Sequence, residues 1–171
     1  MKEYVQHVGS RLLETSKLSK DFAWYITGFV DGEGCFCVSF TKRDKLKTGI
    51  EVRPSFSIGQ NKRSLLALEK IRTYFGCGAI RFSRRDQTYK YEVRSLADLR
   101  KRIIPHFQKY PLQTFKLEDF AIFSWICDEI AASRHLNKDS LLAIIDKAYA
   151  MNQSGKRRYT KQELLKIVKA R

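Results

Sequence analysis

Between Phe22 and Val30 the chain places one polar side chain, Thr27, in nine residues. Continuous apolarity over more than two turns predicts a buried helix, with Ser19 in position to cap its start. Gly28 and Gly32 lie four apart and so share one helix face, where a second backbone can come close. The period then changes from helical to two. Phe36, Val38 and Phe40 alternate with Cys37, Ser39, Thr41 and Arg43, which predicts a strand over 35–43. After a polar loop, Asp44 to Gly49, a second strand runs to about Ile58, with Val52, Phe56 and Ile58 inward and Glu51, Arg53, Ser55 and Ser57 outward. Ser64 is placed to cap a helix from Leu65 to Phe75, and Gly76 to stop it. Two more strands, Ala79–Arg84 and Tyr89–Arg94, flank a turn at Asp86-Gln87. In them Ile80 and Phe82 oppose Arg81 and Ser83, and Tyr91 and Val93 oppose Lys90, Glu92 and Arg94. Ser95 with Asp98 opens a third helix that ends near His106.

The order is α-β-β-α-β-β-α, two hairpins each followed by a helix. That internal repeat predicts an α+β fold: a four-stranded antiparallel sheet with helices on one face and the other face left for a partner. Additional helices follow from about Phe115 to Ala132 and from Lys138 to Ala150, and Thr160 with Glu163 forms a capping box for a last one. Residues 1–18 read as an extension, 19–151 as the domain, and 152–171 as a basic loop and helix.

Charge narrows the partner. The 171 residues carry 33 Lys plus Arg against 18 Asp plus Glu, a net charge of +15. Such an excess points to a polyanion, above all nucleic acid. No apolar run reaches the roughly 18 residues that span a bilayer, and no membrane partner is expected. The bases concentrate at 42–63, 81–102 and 156–171, whereas 116–146 is acidic on balance. The positive field therefore lies on the sheet and its loops, and a twisted antiparallel ribbon fits the major groove, where base edges are distinguishable. The outward set expected to face DNA is Cys37, Ser39, Thr41, Arg43, Arg53, Ser55, Ser57, Arg81, Ser83, Arg85, Lys90, Glu92 and Arg94. The cysteines, Cys35, Cys37, Cys77 and Cys127, show no C-x-x-C spacing, which argues against zinc and for free thiols in a reducing compartment. The first 18 residues lack a signal-peptide apolar region, and Glu3 and Glu14 weigh against a transit peptide. His7, His106 and His135 are isolated and form no nuclease motif.

The chemistry is concentrated in Ile26-Thr27-Gly28-Phe29-Val30-Asp31-Gly32-Glu33-Gly34. Two acids among three glycines arrive where the helix stops, at the negative end of its dipole, which favours a cation. These nine residues, with the strand-like Cys35–Phe40 behind them, resemble the signature of the LAGLIDADG homing endonucleases. Two later segments match in the expected order: Phe56-Ser57-Ile58-Gly59-Gln60 resembles the family's second-strand end, and Tyr110-Pro111-Leu112-Gln113-Thr114-Phe115-Lys116 resembles its P-L-x-T-x-K segment. The resemblance implies a site-specific DNA endonuclease that makes a double-strand break in a long pseudo-palindromic target by metal-dependent hydrolysis, for intron homing. It implies Glu33 as metal ligand, where the family more often has Asp, with the Gly32 carbonyl as second ligand. Gln60 would orient solvent and Lys116 would serve the active-site water network, which makes Glu33, Gln60 and Lys116 the catalytic set. The implied cofactor is Mg²⁺, with Mn²⁺ or Ca²⁺ able to occupy the site. Because the signature occurs once, the resemblance implies a homodimer with Thr27, Gly28, Asp31 and Gly32 at the interface, Asp31 tying the helix end to the partner subunit. The partners are double-stranded DNA and a second copy, with no small-molecule substrate. The location is intracellular, in bacterial cytoplasm, chloroplast or mitochondrion. An RNA maturase and an inactive DNA-binding regulator are the alternatives. Neither needs Glu33, Gln60 and Lys116 together, and their joint presence favours the nuclease.

Overall fold

The computed structural model describes residues 20–152 and 157–171. The extension 1–18, the Ser19 cap and part of the 152–159 loop lie outside the described residues. Helix α1 spans Lys20–Glu33 and passes without a loop into strand β1, Gly34–Lys42. The helix runs three residues beyond Val30, so both signature acids are helical and Glu33 is its last residue. Gly34 makes the direct turn possible: a Cβ there would meet the Val30 side chain at 2.4 Å and its carbonyl at 2.8 Å.

Strand β2 is Ile50–Asn61, longer than its alternation predicts. A 3₁₀ turn, Lys62–Ser64, leads into α2, Leu65–Phe75. Ser64 makes no capping bond; the Asn61 side chain accepts from the Arg63 N–H one turn earlier instead. Strands β3, Ala79–Ser83, and β4, Thr88–Val93, complete an antiparallel sheet of order β1-β2-β4-β3. Helix α3 is built from Leu96–Asp98, a π turn Leu99–Ile103, and Ile104–Lys109, and so continues past His106. Pro105 explains the wide turn. It has no N–H to give and its ring crowds the carbonyl four residues back, and the π turn relieves both. Three more helices follow: α4, Lys116–Ala131; α5, Lys138–Ala150; and α6, Lys161–Lys169, opened by the expected Thr160/Glu163 capping box.

One face of the sheet is packed by helices. Phe36 of β1 touches Phe56, Phe107, Phe120 and Phe123 with ring centroids 5.3 Å apart in each case. Leu164 and Val168 of α6 belong to the same buried cluster. The free edge of β1 is covered by the segment before α6: Asn152 Nδ2 donates to the Phe36 carbonyl at 2.6 Å and Arg157 to the Val38 carbonyl at 3.4 Å. Arg157 also donates to the Ala148 and Met151 carbonyls at the end of α5 and lies 4.4 Å over Tyr149. One base of the tail is thus a structural clamp. Phe82 keeps the face predicted for it, opposite Tyr89, but is not buried there. It is 42% exposed and packs on Tyr89, because β3 is the far edge strand.

Candidate active site and nucleic-acid face

The end of α1 presents Glu33, exposed, with no basic residue in the helix's last turn. Carbonyls of a last helical turn lack intrahelical donors, and Gly32 belongs to that turn. The neighbouring groups come from the Tyr110–Lys116 segment, which is tied to α1 twice. Thr27 Oγ1 donates to the Tyr110 carbonyl at 3.0 Å. Asp31 accepts from the Gln113 N–H at 2.7 Å and from the Thr114 hydroxyl at 2.8 Å. Thr114 Oγ1 in turn accepts from the Lys116 N–H at 3.2 Å, and Lys116 Nζ donates to the Gly34 carbonyl at 2.5 Å. The bonds therefore close a loop, Asp31–Thr114–Lys116–Gly34, around the helix end that carries Glu33. Two motifs more than 80 residues apart meet here.

Thr27 is 2% exposed, and the half-buried Asp31 bonds the Gln113–Thr114 backbone and hydroxyl of its own chain. Both brace the segment that carries Lys116. The open side of α1 is formed by Trp24 and Tyr25, 48% and 47% exposed, with Gly28 and Gly32, where an added Cβ would meet nothing within 4 Å. The 24/25-28-32 spacing is a helical stripe, a signal present in the sequence but masked by the helix's overall apolarity.

Gln60 is placed by register. Gly34 pairs with Ile58, so Gln60 lies two residues along β2, on the overhang beside the α1–β1 junction. It is half-buried, and the hydrogen bonds of this corner pass through Asp31, Thr114 and Lys116 rather than through it. Asp119, one turn after Lys116, was not singled out by its sequence context. Burial pushes its carboxyl above the usual range, against the opposing pull of the Asn152 N–H that donates to it at 3.3 Å and of nearby Lys116.

His106 was also missed as a participant. Its ring lies between Thr27 Oγ1, 3.3 Å from Nε2, and the Tyr74 hydroxyl, 3.0 Å from Nδ1. Thr27 spends its hydroxyl hydrogen on Tyr110, so Nε2 carries the ring hydrogen and Nδ1 accepts from Tyr74. Burial lowers its pKa to about 4, which keeps the ring neutral. The network sets the spacing of α1, α2 and α3.

The outer face of the sheet carries the predicted polar rows. Thr41 pairs with Glu51, Ser39 with Arg53, Cys37 with Ser55, and Ser57 sits between Cys35 and Glu92. Arg43, Ser39, Arg53, Arg81, Lys90 and Arg94 are exposed; Cys37, Thr41, Ser55, Ser83 and Glu92 are half-buried. Ser57 is buried, as a small residue on a central strand with taller neighbours on both sides. Arg85 lies in the β3–β4 turn, 3.6 Å from Asp86. Glu51 and Glu92 each contact two bases along the sheet.

No cluster of three His, Cys, Asp or Glu side chains suited to a metal occurs among the described residues. Glu33 and the Gly32 carbonyl are hard oxygen donors of the kind that Mg²⁺ and Ca²⁺ prefer, but two donors are too few for the six or more these ions take. The set fits a hard cation shared with further oxygen ligands from outside this protomer.

The family model described as LAGLIDADG endonuclease matches residues 26–127. A Neurospora crassa protein named probable intron-encoded endonuclease 2 is 33% identical over 75% of this chain, which spans 28% of that protein's length. The solved structure of the homing endonuclease I-TnaI superimposes with a TM-score of 0.76 at 34% identity, covering 90% of this chain and 98% of that one. I-SmaMI, solved on an uncleaved DNA target in the presence of calcium ions, gives a TM-score of 0.76 at 35% identity, with 86% of this chain matched to 48% of that one.

Proposed function

This chain belongs to the LAGLIDADG endonuclease family, and we propose that it is an intron-homing DNA endonuclease that cuts both strands of its target with a divalent cation, Mg²⁺ first among them. The observation that carries this reading is the hydrogen-bonded loop that brings Lys116 to the Gly34 carbonyl, directly beside Glu33. When bound, the cation would supply charge neutralisation at the phosphate and an activated water. Glu33 and the Gly32 carbonyl would hold it. Lys116, fixed by Asp31 and Thr114, would donate to solvent or to developing negative charge at the phosphate. Gln60 would orient the attacking water from the β2 overhang. The basic outer face of the sheet would lie along the DNA and supply positioning and base contacts.

One protomer offers one such corner, and a double-strand cut needs two. The open stripe of α1, Trp24, Tyr25, Gly28 and Gly32, suits a twofold contact with a second copy. The match to I-TnaI spans 98% of that chain and the match to I-SmaMI 48%, which supports a single unit of this size and the pairing of two such units. Intron-encoded fungal relatives support a mobile intron, in an organelle, as its setting.

The test joins the sequences that flank the host intron into one duplex. With Mg²⁺ the protein should make a single double-strand cut near the junction. Glu33→Gln should lower cleavage by on the order of 10³-fold while binding in Ca²⁺ persists. Undiminished cleavage by that variant would overturn the metal assignment. In solution the DNA complex should hold two 20.0 kDa chains per duplex.

A further inference from the structure

The outer face of the sheet holds two acidic residues among its bases, and each lies within ion-pair distance of two of them. Glu51 Oε2 accepts from Arg43 Nε at 2.8 Å and from Arg53 Nη2 at 2.8 Å. Glu92 lies 2.8 Å from Arg94 Nε through Oε2 and 3.3 Å from Lys90 Nζ through Oε1. The two triads sit in different parts of the face. Glu51 pairs with Thr41 near the β1–β2 loop, and Glu92 pairs with Ser57 and Ala79 on the central rows. On a chain with a net charge of +15, four exposed bases are thus tethered by carboxylates that lie on the same surface.

A free Arg or Lys seeks the nearest phosphate, and such contacts add affinity without reading sequence. A tethered one behaves differently. Arg43 donates Nε to Glu51 and Arg94 faces Glu92 through Nε, so each guanidinium would meet a base edge with its terminal nitrogens. That end-on fork is the geometry that meets the O6 and N7 edge of guanine. The carboxylate also subtracts one positive charge from each triad, which weakens the attraction to any phosphate backbone. The Glu51 carboxyl is held below the usual carboxylate range by its bonds to Arg53 and Arg43, so the clamp is charged at neutral pH.

We propose that Glu51 and Glu92 are specificity-determining residues of the DNA face: each clamps two bases in the plane of the sheet, trading non-specific phosphate affinity for oriented contact with base edges. The proposal rests on the DNA-endonuclease reading of this chain. Its chemistry is distinct from that of the Glu33 corner, because neither triad contacts the metal donors or Lys116.

The experiment selects a duplex from a randomised pool with the wild-type protein in Ca²⁺. It then compares binding of that duplex with binding of a random-sequence duplex across a salt series. Glu51→Gln and Glu92→Gln are the variants. Glu69→Gln, on the exposed surface of α2, carries the same change in charge on the helical layer and is the control. For each clamp variant the random duplex should bind several-fold tighter, with a log–log salt slope steeper by up to about 0.9 per released base. The ratio of selected to random affinity should fall about tenfold, with the unfolding midpoint unchanged and the control at the wild-type ratio. An unchanged or higher ratio in both clamp variants overturns the proposal, as does an equal fall in the control, which would reduce the effect to net charge. Failure of the wild type to enrich any duplex overturns the DNA reading itself and is thereby separable.

Discussion

The two hairpins come from the same α-β-β pattern, yet they are supported very differently. β1–β2 has strands of 9 and 12 residues, and its loop is closed by Arg43 N–H donating to the Gly49 carbonyl at 2.8 Å. Later chain elements lean on it from end to end: Asn152 and Arg157 on the β1 edge, and Arg171 donating to Asp44 at 3.1 Å at the loop. β3–β4 has strands of 5 and 6 residues. Its tip is held by short-range bonds, Ser83 to Asp86 at 3.2 Å and Gln87 to the Arg84 carbonyl at 2.8 Å, and by Lys62 N–H to the Gln87 carbonyl at 3.1 Å. Repetition in sequence therefore does not mean equivalence in the fold. Both hairpins reach the core, β3–β4 through Tyr91 and Val93, but β3–β4 is the shorter and joins the sheet through β2–β4 pairing. For a nucleic-acid face this gives one long half braced by later chain elements and one shorter half.

The largest way to break the comparison is to remove what both hairpins share. Phe56 of β2 packs on Phe36 of β1 and on Tyr91 of β4. Phe56→Ala should cost about 4 kcal/mol in urea unfolding and loosen both hairpins together. A loss confined to one hairpin in amide exchange would show that they are independent units. Next comes the hinge of the weaker one. Gly78 has φ +78°, and a Cβ there would meet Tyr91 at 2.7 Å and the Glu92 carbonyl at 2.8 Å. Gly78→Ala should cost about 3 kcal/mol, through backbone strain and the clash together. Gly49→Ala, at φ +74° but no closer than 3.3 Å to Ile167, should cost about 1 kcal/mol.

Acid probes the helical frame beneath both. Folded His106 takes a proton only near pH 4, whereas its ordinary pKa is 6.5. Its contribution is complete above pH 6.5 and is lost as pH falls through 4, because the unfolded chain binds the proton first. Between pH 7 and 5 this should remove about 2 kcal/mol of stability, and His106→Asn should flatten that part of the pH profile. The smallest effect sharpens the contrast most directly. Arg171→Ala should leave global stability within about 0.5 kcal/mol, as an exposed ion pair does, yet speed amide exchange at Leu46 and Gly49 several-fold. The Arg84–Gln87 turn should not respond.

The legible parts of this protein are those with short-range causes. Period-two alternation placed all four strands to within a few residues, and Gly76 and the Thr160/Glu163 box marked helix ends. The overhang of β2 escaped because Gly59 and Gln60 lack apolar alternation, and pairing with Lys90 and Tyr89 extends the strand regardless. Phe82 takes the predicted face yet stays exposed, for the complementary reason. Alternation says which side a residue takes, but not whether anything covers that side.

At the site, sequence by itself determined the chemical kinds: two acids at a helix end, a Gln after the second strand, a Lys after P-L-x-T, and a strongly basic sheet. Those follow from residue type and local spacing. Only tertiary structure decided the partnerships. Asp31 was drawn to Thr114 and Thr27 to Tyr110, because the Tyr110–Lys116 segment crosses the helix and its backbone donors and acceptors need satisfaction. Lys116 reached Gly34, and Glu51 and Glu92 each gathered two bases, because sheet register and a crossing segment bring charges from distant positions into contact. Local pattern sets what a side chain can do, and the long-range closure of the chain sets which neighbour it does it with.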